Sequence, residues 1–332
     1  MAYTSKYSYA LIGKESSVAY GTPVSCTKDI GLIQSVTTSE DNSIRRVGTL
    51  GQRNAHAITA GRFNVPLSVE GKFQNGRLLG YAIGTTATTG STDYKHTFTE
   101  ADSLSSFTFE LGHNATSDVV KKYSGCKINN YNLSLNVDGE LTFKTDIIAQ
   151  NVVSSTTASA ELPDVTDDLA VFPAYMASIS TGADGEESAL GGIVSLDINI
   201  RNTLNPVGKI GSRYIQALNA NNREYEINFT KEFPDDTEYN RFLEGGIGVS
   251  ALTGWETGTP TIPSVIVNIT NGIGAGSGLR QVYLKLANCS YSATGEKVTV
   301  GEYVQRDFTI VAKNIVANYA YSYDDIASGS WE

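Results

Sequence analysis

A seven-residue run, Val47-Gly48-Thr49-Leu50-Gly51-Gln52-Arg53, returns 160 residues later as Val207-Gly208-Lys209-Ile210-Gly211-Ser212-Arg213. Asn42 and Asn202, Ala57 and Ala217, and Ala60 and Ala220 share that spacing. Arg62-Phe63 finds a counterpart in Arg223 and Tyr225, and Arg77 and Leu79 find theirs in Arg241 and Leu243 at a spacing of 164. Near the end of each half, Asp146–Val153 lies opposite Thr309–Val316 at a spacing of 163, and Cys126 and Cys289 keep the same interval. A spacing that drifts by only four residues over the whole repeat is what a duplication leaves after small loop changes. A repeat of this length means that one folding unit is used twice, so any fold proposed for one half must serve the other. The expected division is an arm at 1–30, a first copy at 31–155, a linker at 156–169, a second copy at 170–320 and a tail at 321–332. The linker is expected from its polar, proline-punctuated composition.

Each half reads as β-structure. Val65, Leu67 and Val69 follow Phe63 at every second position, as a half-buried strand requires. Phe107/Phe109/Leu111 and Tyr131/Leu133/Leu135/Val137 repeat the pattern, and Asp138-Gly139 then marks a hairpin before Leu141 and Phe143. The second half alternates at Val194/Leu196/Ile198/Ile200, Tyr225/Ile227/Phe229, Val265/Val267/Ile269 and Val282/Leu284/Leu286. One short helix per half is expected. Asp235-Asp236-Thr237-Glu238 supplies an N-terminal signal ahead of Tyr239, Phe242 and Leu243, with Gly245-Gly246 as the stop. The counterpart, from Asn75 to about Ile83, carries Leu78, Leu79 and Ala82 and is weakened by Gly76 and Gly80. The expected fold class is all-β: two tandem β-sandwich domains, each with one short flanking helix and a long inter-strand loop.

Composition excludes several functions. The formal charge is −10, so a protein that grips phosphates is not expected, although one that nucleic acid merely passes is allowed. Only 18% of residues are charged, and a surface of neutral polar groups is cheap to bury against other protein. The three cysteines, Cys26, Cys126 and Cys289, form no disulfide or zinc pattern and read as buried small apolar side chains. His56, His96 and His113 have no metal-ligand spacing and read as surface or structural residues. Gly272–Gly278 looks like a phosphate loop, but a strand pattern resumes at Gln281 where a helix N-terminus is needed, so a hairpin tip is expected. Asp164, Asp167 and Asp168 lack the spaced oxygens of a calcium loop and read as linker. No catalytic, metal or cofactor-binding residues are expected, and no cofactor. The start of the chain lacks a signal-peptide core, and no stretch is apolar enough to span a membrane, so synthesis in the cytoplasm and no membrane partner are expected.

The repeated motif lies in long excursions between strands, residues 43–61 and 203–222. Loops of that length in compact domains are usually functional or disordered. Two readings stand: a glycine-punctuated hairpin kept by common descent, or an interaction loop with Arg53 and Arg213 as charged handles. The residues of the second reading are Val47, Gly48, Leu50, Gly51 and Arg53, with Val207, Gly208, Ile210, Gly211 and Arg213. Residues 1–30 carry Tyr3, Tyr7, Tyr9 and Tyr20 and are expected to dock on something.

The opening Glu15-Ser16-Ser17-Val18-Ala19-Tyr20-Gly21-Thr22 resembles the Glu-x-x-x-x-Tyr-Gly-Thr start of many tail tube proteins of long-tailed viruses. So do the long first loop, the single short helix and the closing strands Leu141–Val153 and Phe308–Ala317. The resemblance implies a β-sandwich subunit whose rings stack into the tail tube that conducts genomic DNA. The duplication matches the variant with two fused tube domains, which makes a homotrimeric, pseudo-hexameric ring. It also implies partners: the chain itself, the tape measure, terminator and distal tail proteins, and DNA passing through the lumen without specific binding. The location implied is the tail of the virion. The second copy lacks the opening motif, so unequal contacts are expected. The alternative is a virion or cell-surface adhesin or a carbohydrate-binding β-sandwich pair. That reading needs exposed Trp and Tyr clusters, and Trp255 and Trp331 are the only tryptophans.

Overall fold

The computed structural model describes residues 8–16, 20–90, 93–114, 118–158, 171–182, 185–232, 237–244, 261–272, 280–298 and 304–323. Asp164, Asp167, Asp168, Trp255 and Trp331 lie outside them, as do Tyr3, Tyr7 and most of the glycine run at 272–278. Among the described residues the pairing is antiparallel throughout, and the all-β expectation holds. In the first half the order is β1 (Ser8–Lys14), β2 (Leu32–Thr38), β3 (Arg45–Val47), β4 (Ala57–Thr59), β5 (Val65–Lys72), α1 (Arg77–Ile83), β6 (Gly84–Thr89), β7 (Asp93–Glu100), β8 (Phe107–Asn114), β9 (Asp118–Asn136), β10 (Thr142–Ala149) and β11 (Asn151–Ser155). The second half has β12 (Ala177–Gly182), β13 (Ser188–Ala189), β14 (Ile193–Arg201), β15 (Leu204–Val207), β16 (Ala217–Ala220), β17 (Glu224–Glu232), α2 (Thr237–Glu244), β18 (Thr261–Thr270), β19 (Gln281–Lys297) and β20 (Gln305–Tyr323).

The alternating positions read from the sequence form the core. Val65, Leu67 and Val69 are buried on β5, as are Tyr225, Ile227 and Phe229 on β17. Phe107, Phe109, Tyr123 and Tyr131 are among the largest fully buried side chains, and Cys126 and Cys289 sit among this core, both fully buried. The Asp138-Gly139 turn closes with the Gly139 N–H donating to the Asn136 carbonyl at 2.8 Å. Leu141, expected on a strand, instead lies just before β10, where its carbonyl accepts from Phe73 and its N–H reaches Phe172.

Both helices form where the pattern put them. Every residue of α1 is buried, and Gly80, which lowers helix propensity, is needed for packing. A Cβ there would stand 2.6 Å from the Thr86 hydroxyl oxygen and against the Phe98 ring. On α2, Phe242 packs edge-on to Tyr291 of β19 at 6.5 Å. Asp235, Asp236, Gly245 and Gly246, its expected start and stop signals, lie outside the described residues.

The long strand β9 belongs to two layers. Its first part pairs with β8 and β11, and its last part pairs with β10. Strands β2, β5, β10 and β9 run side by side in that order, and β14, β17, β20 and β19 follow in the same sheet. The second set stands in the places of the first. A register shift falls between Ile33 and Ser35 where β2 meets β5, and between Ile193 and Ser195 where β14 meets β17. Left-handed backbone recurs at the repeat spacings: Ser43 and Thr203, Gly51 and Gly211, Gly125 and Asn288. Such conformations are costly for Ser, Thr and Asn, so their recurrence marks shared local geometry rather than chance.

In the described residues, the N-terminal arm docks on the chain itself. Its described part pairs along all of β1 with β8, and Leu11 and Ile12 are buried in the chain's own core. The segment docks on its own half, because alternation too short to read alone becomes a strand once β8 offers an edge.

One buried group makes stability depend on pH. His96 is fully buried, with Nδ1 2.9 Å from the Thr88 hydroxyl, and burial followed by the nearby Arg77 charge pushes its pKa down to about 3. The unfolded imidazole takes a proton near pH ~6.5, while the folded one stays neutral down to about 3. Its contribution is therefore fully present above ~6.5 and falls as pH drops through that window. Denaturant midpoints at pH 7 and pH 4 should fall further for the native chain than for His96→Gln; equal losses would show that His96 does not carry the effect.

Candidate assembly surfaces

The excursions 43–61 and 203–222 each fold into a two-stranded hairpin, β3–β4 and β15–β16. The His56 N–H donates to the Val47 carbonyl and the Gln216 N–H to the Val207 carbonyl, both at 2.8 Å, at equivalent places in the repeat. Gly51 and Gly211 adopt φ of 83° and 88°, which places Leu50 and Ile210 at the tips. These two side chains are fully exposed, at 101% and 108%. An apolar side chain held out of contact at the same place in two hairpins gains nothing for the isolated chain.

The two arginines of the motif are not equivalent. Arg53 is exposed. Arg213 donates through Nε to the Gly61 carbonyl at 3.1 Å and through Nη2 to Asn42 Oδ1 at 2.7 Å, so it joins the second hairpin to the base of the first. Its carbonyl accepts from the Phe63 N–H at 2.8 Å, and the rings of Phe63 and Tyr214 meet edge-on at 6.2 Å. Val47, Gly48, Leu50 and Gly51, with Val207, Gly208, Ile210 and Gly211, lie along the two projecting arms.

Beneath the hairpins, the halves meet edge to edge. The last part of β9 pairs with β14 from Asn130↔Arg201 through Leu133↔Ile198 to Asn136↔Ser195. Asn132 donates to Asn199 across this seam at 2.8 Å. Asn202, fully buried, donates to the carbonyls of Ala82 and Ile128 at 2.9 and 3.1 Å and accepts from Arg223. Asn42 and Asn202, matched in the repeat, thus both serve the join, although nothing in their spacing alone assigned them that role. Among the free strand edges of the described residues are the outer side of β2 and the last part of β19 on the side away from β20. These stand where β14 and β9 stand in the internal seam.

The opening motif has a structural explanation. The Glu15 carboxylate, 4% exposed, accepts from the Gly125 N–H at 2.7 Å, the Thr108 hydroxyl at 2.9 Å and the Gly21 N–H at 3.1 Å. The Tyr20 hydroxyl donates to the Gly125 carbonyl at 3.1 Å. Glu, Tyr and Gly of the motif therefore clamp the chain onto the bend of β9, where Gly125 has φ of 64°.

No cluster of three or more His, Cys, Asp or Glu suited to a metal ion occurs among the described residues. The thiols of Cys26 and Cys289 are pushed up to about 12 by burial, and that of Cys126 also rises well above its ordinary value. No helix among the described residues is long and apolar enough to cross a membrane.

A sheet that runs across an internal seam, with unpaired strand segments on β2 and the end of β19 and two exposed hairpins, gives an all-β protein with surfaces for contact with other protein. The phage tail tube protein family matches residues 8–312, and the chain belongs to that family. It is a structural component of the virion tail. A search of curated proteins found no match.

Proposed function

We propose that this chain is a tube subunit with two fused copies of one tube domain, and that three chains close into a pseudo-hexameric ring. One observation carries the reading: the internal seam between β9 and β14 is flanked by open edges, β2 and β19, that occupy the same places in the repeat. A second chain set on this one by the geometry of the internal seam covers β19 with its own β2. Repetition around a closed ring then covers the β2 edge and the end of β19 in every chain, edges that otherwise invite uncontrolled pairing. Burial supports the same pairing. Leu135 and Leu196, opposite each other in the seam, are 5% and 3% exposed, whereas Val298, the counterpart of Leu135, is 70% exposed.

Stacked rings form the conduit through which genomic DNA passes without specific binding, and the ends of the stack meet other tail proteins such as the tape measure, terminator and distal tail proteins. The net charge of −10 suits passage, since a basic lining would hold phosphates. Arg53, the exposed counterpart of Arg213, serves the seam between chains as Arg213 serves the one inside this chain. Native mass spectrometry of isolated rings tests the proposal. Three chains per ring are expected, and six would remove the fused-ring reading.

A further inference from the structure

The hairpins and the sheet they spring from differ in charge. Segment 43–61 contains Arg45, Arg46 and Arg53, and segment 203–222 contains Lys209 and Arg213, without one carboxylate in a chain of net charge −10. Arg45 and Arg46 are exposed on β3. The hairpins follow the C-terminal ends of β2 and β14. At the opposite end of the same strands, where β9 finishes and β14 begins, lies a groove of about 310 Å³ lined by Leu135, Val137, Tyr175, Leu190 and Ile193 among others. Val137 and Tyr175 are 58% and 78% exposed. Asp138 follows Val137 directly and is exposed. Glu232, also exposed, donates its N–H to the carbonyl of Gly192 in the groove wall. The neighbouring cations are occupied: Lys72 pairs with Glu140, and Lys231 is buried.

From this we infer that the groove receives a hairpin tip of a second copy of this chain, with Leu50 or Ile210 in the apolar floor and hairpin arginines against Asp138 and Glu232. The inference rests on the tube reading above and deepens it by naming the acceptor of the hairpins. A basic, apolar-tipped projection at one end of the strands and an acidic-rimmed apolar groove at the other make a heterologous contact. Such a contact does not close on itself, and along the axis of a ring it generates a stack. The charges set the polarity, because two like ends oppose each other. Each chain carries one such groove at its internal seam, so a ring of three presents three acceptors to the hairpins of the next ring. Weak single contacts then add up around the ring.

Charge exchange tests this contact. Arg45→Glu with Arg46→Glu, and separately Asp138→Lys with Glu232→Lys, should each cut the yield of sedimentable tubes by roughly tenfold or more while rings persist. The four substitutions together should restore tubes, since the attraction returns with its sign reversed. Ile210→Asp with Leu50→Asp should stop at rings as well. Tubes that form normally in either charge-reversed pair, or no rescue in the four-fold variant, overturn the contact while leaving the ring reading intact. Native chains that never form rings would instead remove the reading beneath it.

Discussion

A chain carrying Val36→Cys and Val298→Cys is expected to cross-link to copies of itself under mild oxidation, giving a ladder that ends at three chains. The positions come from the seam inside the chain. There, Leu135 of β9 stands opposite Leu196 of β14. The partner of Leu196 on β17 is Phe229, and the partner of Val36 on β5 is Val69, which places Val36 where Leu196 stands. On the other side, β10 pairs Thr142 with Ser134 and β20 pairs Gln305 with Lys297, and one residue further on Leu135 corresponds to Val298, just past the end of β19. Directly opposed residues of antiparallel strands hold their Cβ atoms about 4.5–5.5 Å apart, near enough for a disulfide after small adjustment. The native thiols do not compete, because Cys26, Cys126 and Cys289 are fully buried and held protonated. Chains in solution below the assembly concentration should stay uncross-linked, which separates the ring contact from random collision. Assembled rings that fail to cross-link would show that the internal seam does not set the register between chains, and a ladder ending at six would remove the trimer.

Loss of the Glu15 clamp should have the next largest effect, on stability rather than on assembly. Glu15→Ala removes the acceptor of three hydrogen bonds and leaves the Thr108 hydroxyl and the Gly125 N–H buried. Unsatisfied buried donors and lost bonds to a charged group cost roughly 3 kcal/mol or more together, a fall of several degrees in Tm. In Glu15→Gln the amide oxygen keeps the two bonds made by Oε1, and its NH2 faces only Gly21, so about 1 kcal/mol is expected. Thermal unfolding of the two variants measures the difference. Equal losses would mean that charge, not hydrogen-bond geometry, holds the clamp, and no loss in either would mean that β1 is anchored by its strand pairing alone.

The β-class, both helices and the positions of the core strands were legible in the sequence, because alternation at every second residue is a local consequence of strand geometry. The repeated motif likewise marked the two excursions before any pairing was known. What it left open was their shape, since residues 43–61 read equally as a hairpin or as a loop. The structure resolves both excursions as hairpins and separates the two arginines: Arg213 is spent on Asn42 and Gly61, whereas Arg53 stays exposed. No local signal distinguishes them, because their partners lie more than a hundred residues away. What the arm docks on was open for a related reason. Tyr9, Leu11 and Ile12 form a strand only because β8 lies beside them. The sequence by itself showed a motif that recurs at a spacing of 160 and how each strand alternates, both being carried by neighbouring residues or by comparison of the halves. Only the tertiary structure decided that β9 pairs with β14 and that the outer side of β2 and the last part of β19 are left open. Strand partners are chosen by long-range hydrogen bonding between backbones that carry the same groups at every residue, so the sequence pattern does not encode the choice.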